Sequence, residues 1–176
     1  LIYDKGDGVL KDFSEALKWY RLSAEQGQAI AQFNLGVMYE RGDGVLKDFS
    51  KALKWYRLSA EQGYAPAQLN LGVMYDKGDG VLKDFSEALK WYRLSAEQDN
   101  AVAQRNLGAK YEYGKGVLKD YATAVAWYTL AAEQELASAQ YYLGQMYRKG
   151  NGVLKDLSES MKWYRLSAEQ GFAAAQ

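Results

Sequence analysis

Five tryptophans, Trp19, Trp55, Trp91, Trp127 and Trp163, fall 36 residues apart, and each is followed by a tyrosine. Tyr3, Tyr39, Tyr75, Tyr111 and Tyr147 keep the same interval. So do the loop pairs Gly6/Gly8, Gly42/Gly44, Gly78/Gly80, Gly114/Gly116 and Gly150/Gly152. A fixed period of this length marks an array in which each copy is one supersecondary unit. Tyr3 to Gln26 is identical, residue for residue, to Tyr75 to Gln98. That identity means recent duplication or an engineered array, and the residues leave both open.

Each copy reads as two helices. The pattern predicts a first helix from Ala29 to Arg41, closed at Gly42, a residue free to take the left-handed conformation. A loop, Gly-Asp-Gly-Val-Leu-Lys, leads to Asp48, whose carboxylate can cap the next helix. Asp12/Glu15, Asp84/Glu87 and Asp156/Glu159 have capping-box spacing. The second helix is expected to reach about Gln62 and to stop at Gly63. Asp99 and Glu135 occupy that stop in two copies, and Glu135 is expected to be strained there. Ala52, Leu53, Tyr56 and Ala60 form the expected buried stripe.

Strand signals are absent. A 36-residue helix pair cannot bury its own apolar face, so copies must stack, which makes the chain an all-α solenoid. The expected division is a partial repeat over 1–27, repeats over 28–63, 64–99, 100–135 and 136–171, and the start of another at 172–176. The chain begins partway through a first helix (Leu1, Ile2, Tyr3) and ends one turn into another (Ala173 to Gln176). It is therefore expected to be an excerpt of a longer array with open ends that self-associate.

The pattern Ala-Gln-x-x-Leu-Gly-x-Met-Tyr-x-x-Gly-x-Gly-Val-x-x-Asp-x-x-x-Ala-x-x-Trp-Tyr-x-x-x-Ala-x-x-Gly, complete from Ala31 to Gly63, resembles the Sel1-like repeat, a relative of the tetratricopeptide repeat. Departures are Lys110 for Met, Asp99 and Glu135 for Gly, and Ser160 for Ala. The resemblance implies a right-handed superhelix whose first helices line a concave surface. It also implies an adaptor that holds other proteins together.

Composition narrows the chemistry. No His and no Cys occur among the 176 residues, which excludes Ser-His-Asp and Cys-His catalysis and thiolate or histidine metal sites. Lys+Arg and Asp+Glu are each 22, without the basic excess of a nucleic-acid binder. No apolar run is long enough to insert across a membrane. The Gly-x-Gly-Val loops lack the strand and third glycine of a phosphate loop. The loop acids Asp4/Asp7/Asp12, Glu40/Asp43/Asp48 and Asp76/Asp79/Asp84 are spaced unlike an EF-hand, and later copies put Lys115, Arg148 and Asn151 at some of these positions. No acid cluster breaks the period as an active site would, so the chain is read as non-catalytic, with no cofactor. The basic ladder Lys18/Arg21, Lys54/Arg57, Lys90/Arg93 and Lys162/Arg165 reads as a solvated outer face, since a Glu follows one turn later in every copy.

Nineteen of the 25 aromatic residues sit in repeat-locked slots and are assigned to the core. Of the other six, Tyr64 and Phe172 share the turn between copies, while Phe33, Tyr113, Tyr141 and Tyr142 fall in the first helix. At about 100° per residue, Ile30, Phe33, Asn34, Val37 and Arg41 share one face, opposite the unchanging Ala31, Gln32, Leu35, Gly36 and Tyr39. Gly36, mid-helix, implies a bulky neighbour. The changing face continues as Pro66, Leu69, Val73 and Lys77, then Val102, Arg105, Ala109 and Tyr113, then Ser138, Tyr141, Gln145 and Lys149. Asn34, Asn70, Asn106 and Tyr142 run alongside.

Apolar, aromatic and cationic groups in file suit protein recognition. The expected function is a scaffold binding a protein or peptide segment. Its site is Phe33, Asn34, Val37, Arg41, Leu69, Asn70, Val73, Lys77, Arg105, Asn106, Tyr113, Tyr141, Tyr142, Gln145 and Lys149. Whether the Asn ladder bonds a ligand backbone or merely spaces the copies stays open. So do two other functions, an assembly element stacking end to end and a cell-envelope ligand-binding module.

Overall fold

The computed structural model describes residues 13–175. Among them are nine α-helices: α1 Phe13–Glu25, α2 Ala29–Arg41, α3 Phe49–Glu61, α4 Ala65–Lys77, α5 Phe85–Ala96, α6 Ala101–Tyr113, α7 Tyr121–Glu133, α8 Ala137–Lys149 and α9 Leu157–Glu169. The described residues contain no strand. Ala173–Ala175 is a single 3-10 turn, where the pattern predicts the first α-turn of another helix. Expectations resting on Leu1, Ile2, Tyr3, Asp4, Asp7 and Asp12 lie outside the described residues.

The chain forms two compact units, split between Asp84 and Phe85. Both are built by the same local chemistry. Gly42 ends α2 in the left-handed conformation, φ 84°, and its N–H donates to the Met38 carbonyl at 2.8 Å. The loop then closes when the Asp48 N–H donates to the Tyr39 carbonyl at 2.9 Å. Asp84, Asp120 and Asp156 close on Tyr75, Tyr111 and Tyr147 in the same way.

The Asp48 carboxylate caps α3 by accepting the Lys51 N–H, and Asp156 caps α9 through the Ser158 and Glu159 amides. The reciprocal half of the expected capping box is not made at Glu159. The Asp156 N–H is already taken by Tyr147, so Glu159 turns to Lys162 instead. Asp99 and Glu135 stand at φ 60° and 61°, the left-handed stop that glycine fills elsewhere.

Helix pairs lock through a glycine and a tyrosine. A Cβ added to Gly36 would lie 2.7 Å from the Tyr56 ring, and one on Gly108 would lie 2.7 Å from Tyr128. These are the bulky neighbours that a mid-helix glycine implied. Tyr56, Tyr92 and Tyr128 are fully buried, among alanine, leucine and methionine.

The assignment of all repeat-locked aromatics to the core needs correction. Trp91 is buried, Trp55, Trp127 and Trp163 are half-buried, and Trp19 is 48% exposed. Four of the indoles lie beside a lysine, as Lys54 does 5.6 Å from the Trp55 ring centre and Lys90 5.3 Å from that of Trp91, while Ala126 takes that slot next to Trp127. The tyrosine next door points inward because the facing glycine leaves room for one ring only.

A second polar lattice joins the copies. Gln32, Gln68, Gln104 and Gln140 are buried, and each amide donates at 3.2 Å to a carbonyl at the end of the preceding helix. Gln62, Gln134 and Gln170 in turn donate to Gln32, Gln104 and Gln140 at 2.7, 2.8 and 2.9 Å. These bonds satisfy buried amides that would otherwise cost about 1–3 kcal/mol each.

Candidate protein-binding face

In the first unit, α2 carries Phe33, Asn34, Val37 and Arg41, and α4 carries Leu69, Asn70, Val73 and Lys77. Arg41 and Lys77 are exposed and the other six are half-buried. Phe33 leans on Tyr56 at 5.7 Å between ring centres and meets Tyr64 edge-on at 5.3 Å. Phe33 and Val37 thus show one side to the core and one to the face.

Arg41, Asn70 and Lys77 converge on one cavity of about 540 Å3, shared with Glu40, Lys47, Phe49 and Asp79. Glu40, one of its lining residues, accepts the Tyr56 hydroxyl at Oε2 at 2.5 Å. Burial, and next the Glu40 carboxylate, push the Tyr56 hydroxyl far above its ordinary range, while the Asn70 amide pulls the other way. Asn70 therefore stands beside a tyrosine–glutamate pair belonging to the preceding copy. Asn34 does not join this cavity. It lines a separate one of about 410 Å3 with Trp19, Tyr20 and Ile30.

In the second unit the face is more aromatic. Arg105, Asn106 and Tyr113 lie on α6, and Tyr141, Tyr142, Gln145 and Lys149 on α8. Tyr142, in the asparagine slot, stacks on Tyr128 with centres 5.4 Å apart and rings 15° from parallel. Tyr141 lies 5.6 Å from Tyr142 and 5.5 Å from both Tyr164 and Phe172. Phe172, like Tyr64, covers the turn between copies through this contact. Gln145 accepts from Lys149 Nζ at 3.3 Å. Arg105 and Asn106 are half-buried, and Arg105 Nε is buried without a hydrogen-bond partner among the described residues. Tyr113 is 58% exposed at the end of α6.

The sequence marked Glu40 only as a loop acid and did not mark Glu112, yet both bond buried tyrosines. Tyr128 donates to Glu112 at 2.7 Å as Tyr56 does to Glu40. The period carried the signal, since an acid recurs at Asp4, Glu40, Asp76 and Glu112 and changes to Arg148. The basic ladder is engaged on the outer face: Arg21, Arg57 and Arg93 donate to the hydroxyls of Tyr39, Tyr75 and Tyr111 at 3.2, 2.6 and 2.9 Å.

Stacked 36-residue helix pairs without strands define a helical-repeat solenoid. The family model described as the Sel1 repeat matches residues 1–28, 29–64, 65–100, 101–136 and 137–172. The chain belongs to the Sel1 repeat family, whose members are generally non-catalytic scaffolds for protein interaction.

Among solved structures, the chain is similar to a Sel1 repeat protein from Oxalobacter formigenes. The two are 42% identical with a TM-score of 0.93, over 99% of this chain and 69% of that one. It is also similar to a protective antigen present in uropathogenic Escherichia coli strains that displays an SLR fold. Here identity is 40% and the TM-score 0.94, over 99% of this chain and 37% of the antigen. An immunity protein from Pseudomonas aeruginosa is 25% identical, with a TM-score of 0.62 over 98% of this chain and 66% of that one. No curated relative matches the chain. Among the described residues, no helix is long and apolar enough to cross a membrane.

Proposed function

We propose that the chain holds a protein or peptide segment against the first-helix faces of its repeats. In the first unit the segment would lie across α2 and α4, and in the second across α6 and α8. The convergence of Arg41, Asn70 and Lys77, from two successive repeats, on one open cavity carries this proposal. Asn70 offers both a donor and an acceptor, and the two cations suit an acidic side chain or a C-terminal carboxylate. Phe33, Leu69, Val37 and Val73 give the apolar contact. In the second unit Arg105 and the Tyr141–Tyr142 pair would serve as anchors, because aromatic and arginine side chains dominate interface energetics. The chain is read as a binding module with no reaction of its own.

Asn70→Ala is the informative variant. Affinity for a captured partner segment is expected to fall while the urea midpoint stays unchanged. A large loss of stability with binding retained would mean that Asn70 only braces Tyr56 and Glu40.

End-to-end self-association is a second reading, favoured by α9. Leu157 and Met161 are 58% and 68% exposed there, whereas Phe49 and Leu53 in the same slots of α3 are half-buried. Sedimentation should show concentration-dependent association that Met161→Lys suppresses, and a monomer at all concentrations would dismiss it.

A further inference from the structure

Among the described residues, four repeat loops each carry a leucine that folding leaves in water. Leu46, Leu82, Leu118 and Leu154 are 91%, 89%, 89% and 91% exposed. The preceding valine turns inward, as Val45 and Val153 do onto the cores of their units. Each leucine is followed by a lysine. An aliphatic side chain so exposed adds nothing to the stability of the fold.

The charge around these leucines separates the two units. Residues 41–48 and 77–84 hold Arg41, Lys47, Lys77 and Lys83 against Asp43, Asp48, Asp79 and Asp84. Residues 113–120 and 149–156 hold Lys115, Lys119, Lys149 and Lys155 against Asp120 and Asp156, with Arg148 just before one loop and Glu112, bonded to Tyr128, just before the other. Both of those acids are occupied. Asp120 accepts the Ala122 and Thr123 amides, and Asp156 accepts those of Ser158 and Glu159. Their charge faces a helix N-terminus, which offsets it as it does for Asp48 in the first unit, so the contrast between the units lies in Asp43 and Asp79 against Lys115 and Asn151. The two loops are neighbours, since Gly152 packs on the backbone of Tyr121, one residue past the 113–120 loop.

We propose that this loop edge of the second unit docks on an anionic lipid surface. Leu118 and Leu154 would enter the headgroup boundary, and Lys115, Lys119, Arg148 and Lys155 would meet lipid phosphate and carboxylate groups. Apolar tips ringed by cations are the chemistry of interfacial binding to anionic membranes. The leucines sit on separate loops, each followed in sequence by a lysine. A folded partner would need a matching socket for each, whereas a fluid interface admits them singly. The first unit has the same leucines but carries Asp43 and Asp79 where the second has Lys115 and Asn151, so its electrostatic half is weaker. This docking involves residues outside the segment-binding proposal, except that Lys149 lies near both, and it stands or falls independently.

Co-sedimentation with vesicles of phosphatidylcholine alone, and of phosphatidylcholine with phosphatidylserine, tests it. The chain is expected to partition onto the anionic vesicles only, and less as salt rises. L118S/L154S should lower the partition coefficient by about tenfold or more with helicity unchanged. L46S/L82S should lower it by less than about twofold, a span of only a few tenths of a kcal/mol. K119E/K155E should abolish it. Equal partition onto both vesicle types, no partition, or indifference to L118S/L154S would overturn the proposal. Capture by soluble polyglutamate but not by vesicles would overturn it too, in favour of an acidic protein partner.

Discussion

The first unit, through Asp84, and the second, from Phe85, are built from one repeat yet depart from it in different degrees. The first keeps glycine at its stops between copies, Gly27 and Gly63, and asparagine at both ladder positions, Asn34 and Asn70. The second puts Asp99 and Glu135 at two of its stops, Lys110 where methionine recurs, and Tyr142 where asparagine recurs. Its buried acid is also deeper, with Glu112 at 6% exposure and Glu40 half-buried. Backbone geometry survives every change, because the loop closures and glutamine bonds use groups that all copies share. A repeat tolerates variation wherever the backbone can be satisfied without the side chain.

The largest difference is expected at tryptophan. Trp91→Ala should cost about 3–5 kcal/mol, as removal of a buried large aromatic does. Trp19→Ala should cost less, since nearly half of that side chain is already in water. Equal losses in denaturant unfolding would contradict the stacked-copy account for these two slots.

Next come the tyrosine–acid pairs. Tyr128→Phe strands Glu112 in a buried site and should cost about 2–3 kcal/mol, while Tyr56→Phe should cost about 1 kcal/mol because Glu40 reaches an open cavity. Tyr164→Phe should be nearly silent, with Arg148 in the acid slot of that copy. Urea midpoints of the three variants rank them, and a Tyr56 cost above that of Tyr128 would reverse the comparison.

Smaller still, the left-handed stops should respond with opposite signs. Glu135→Gly should stabilise the second unit by about 1 kcal/mol, and Gly63→Glu should weaken the first by a similar amount. Asp99→Gly should gain less, since aspartate tolerates this conformation better than glutamate. Thermal melting of the three reads the signs directly. A similarly small stability effect is expected at Asn70→Ala, within about 0.5 kcal/mol, as for a half-exposed surface position. Asn106→Ala, compared with it, would tell whether the two units share one recognition device.

Helix ends, the aspartate caps and the glycine facing a ring could all be read from the chain, because each depends on residues within one period. Depth of burial could not. Trp19 and Trp91 occupy the same slot in identical local sequence, yet one is 48% exposed and the other 8%. The candidate face was legible as a helical stripe. Its cavity was not, since Arg41, Asn70 and Lys77 are brought together only by the stacking of two copies. The same holds for Tyr56 and Glu40, 16 residues apart and on different helices.

The sequence by itself determined the all-α class, the 36-residue register, the helix boundaries and the repeat family. Periodicity, capping and turn chemistry are local, and they recur often enough to be unmistakable. Only the tertiary structure decided which aromatic fills the core, which acid bonds a buried hydroxyl and which leucines remain in water. Those outcomes depend on how much space the neighbouring helix leaves, and a mid-helix glycine such as Gly36, on the helix before Tyr56, sets that space for a tyrosine.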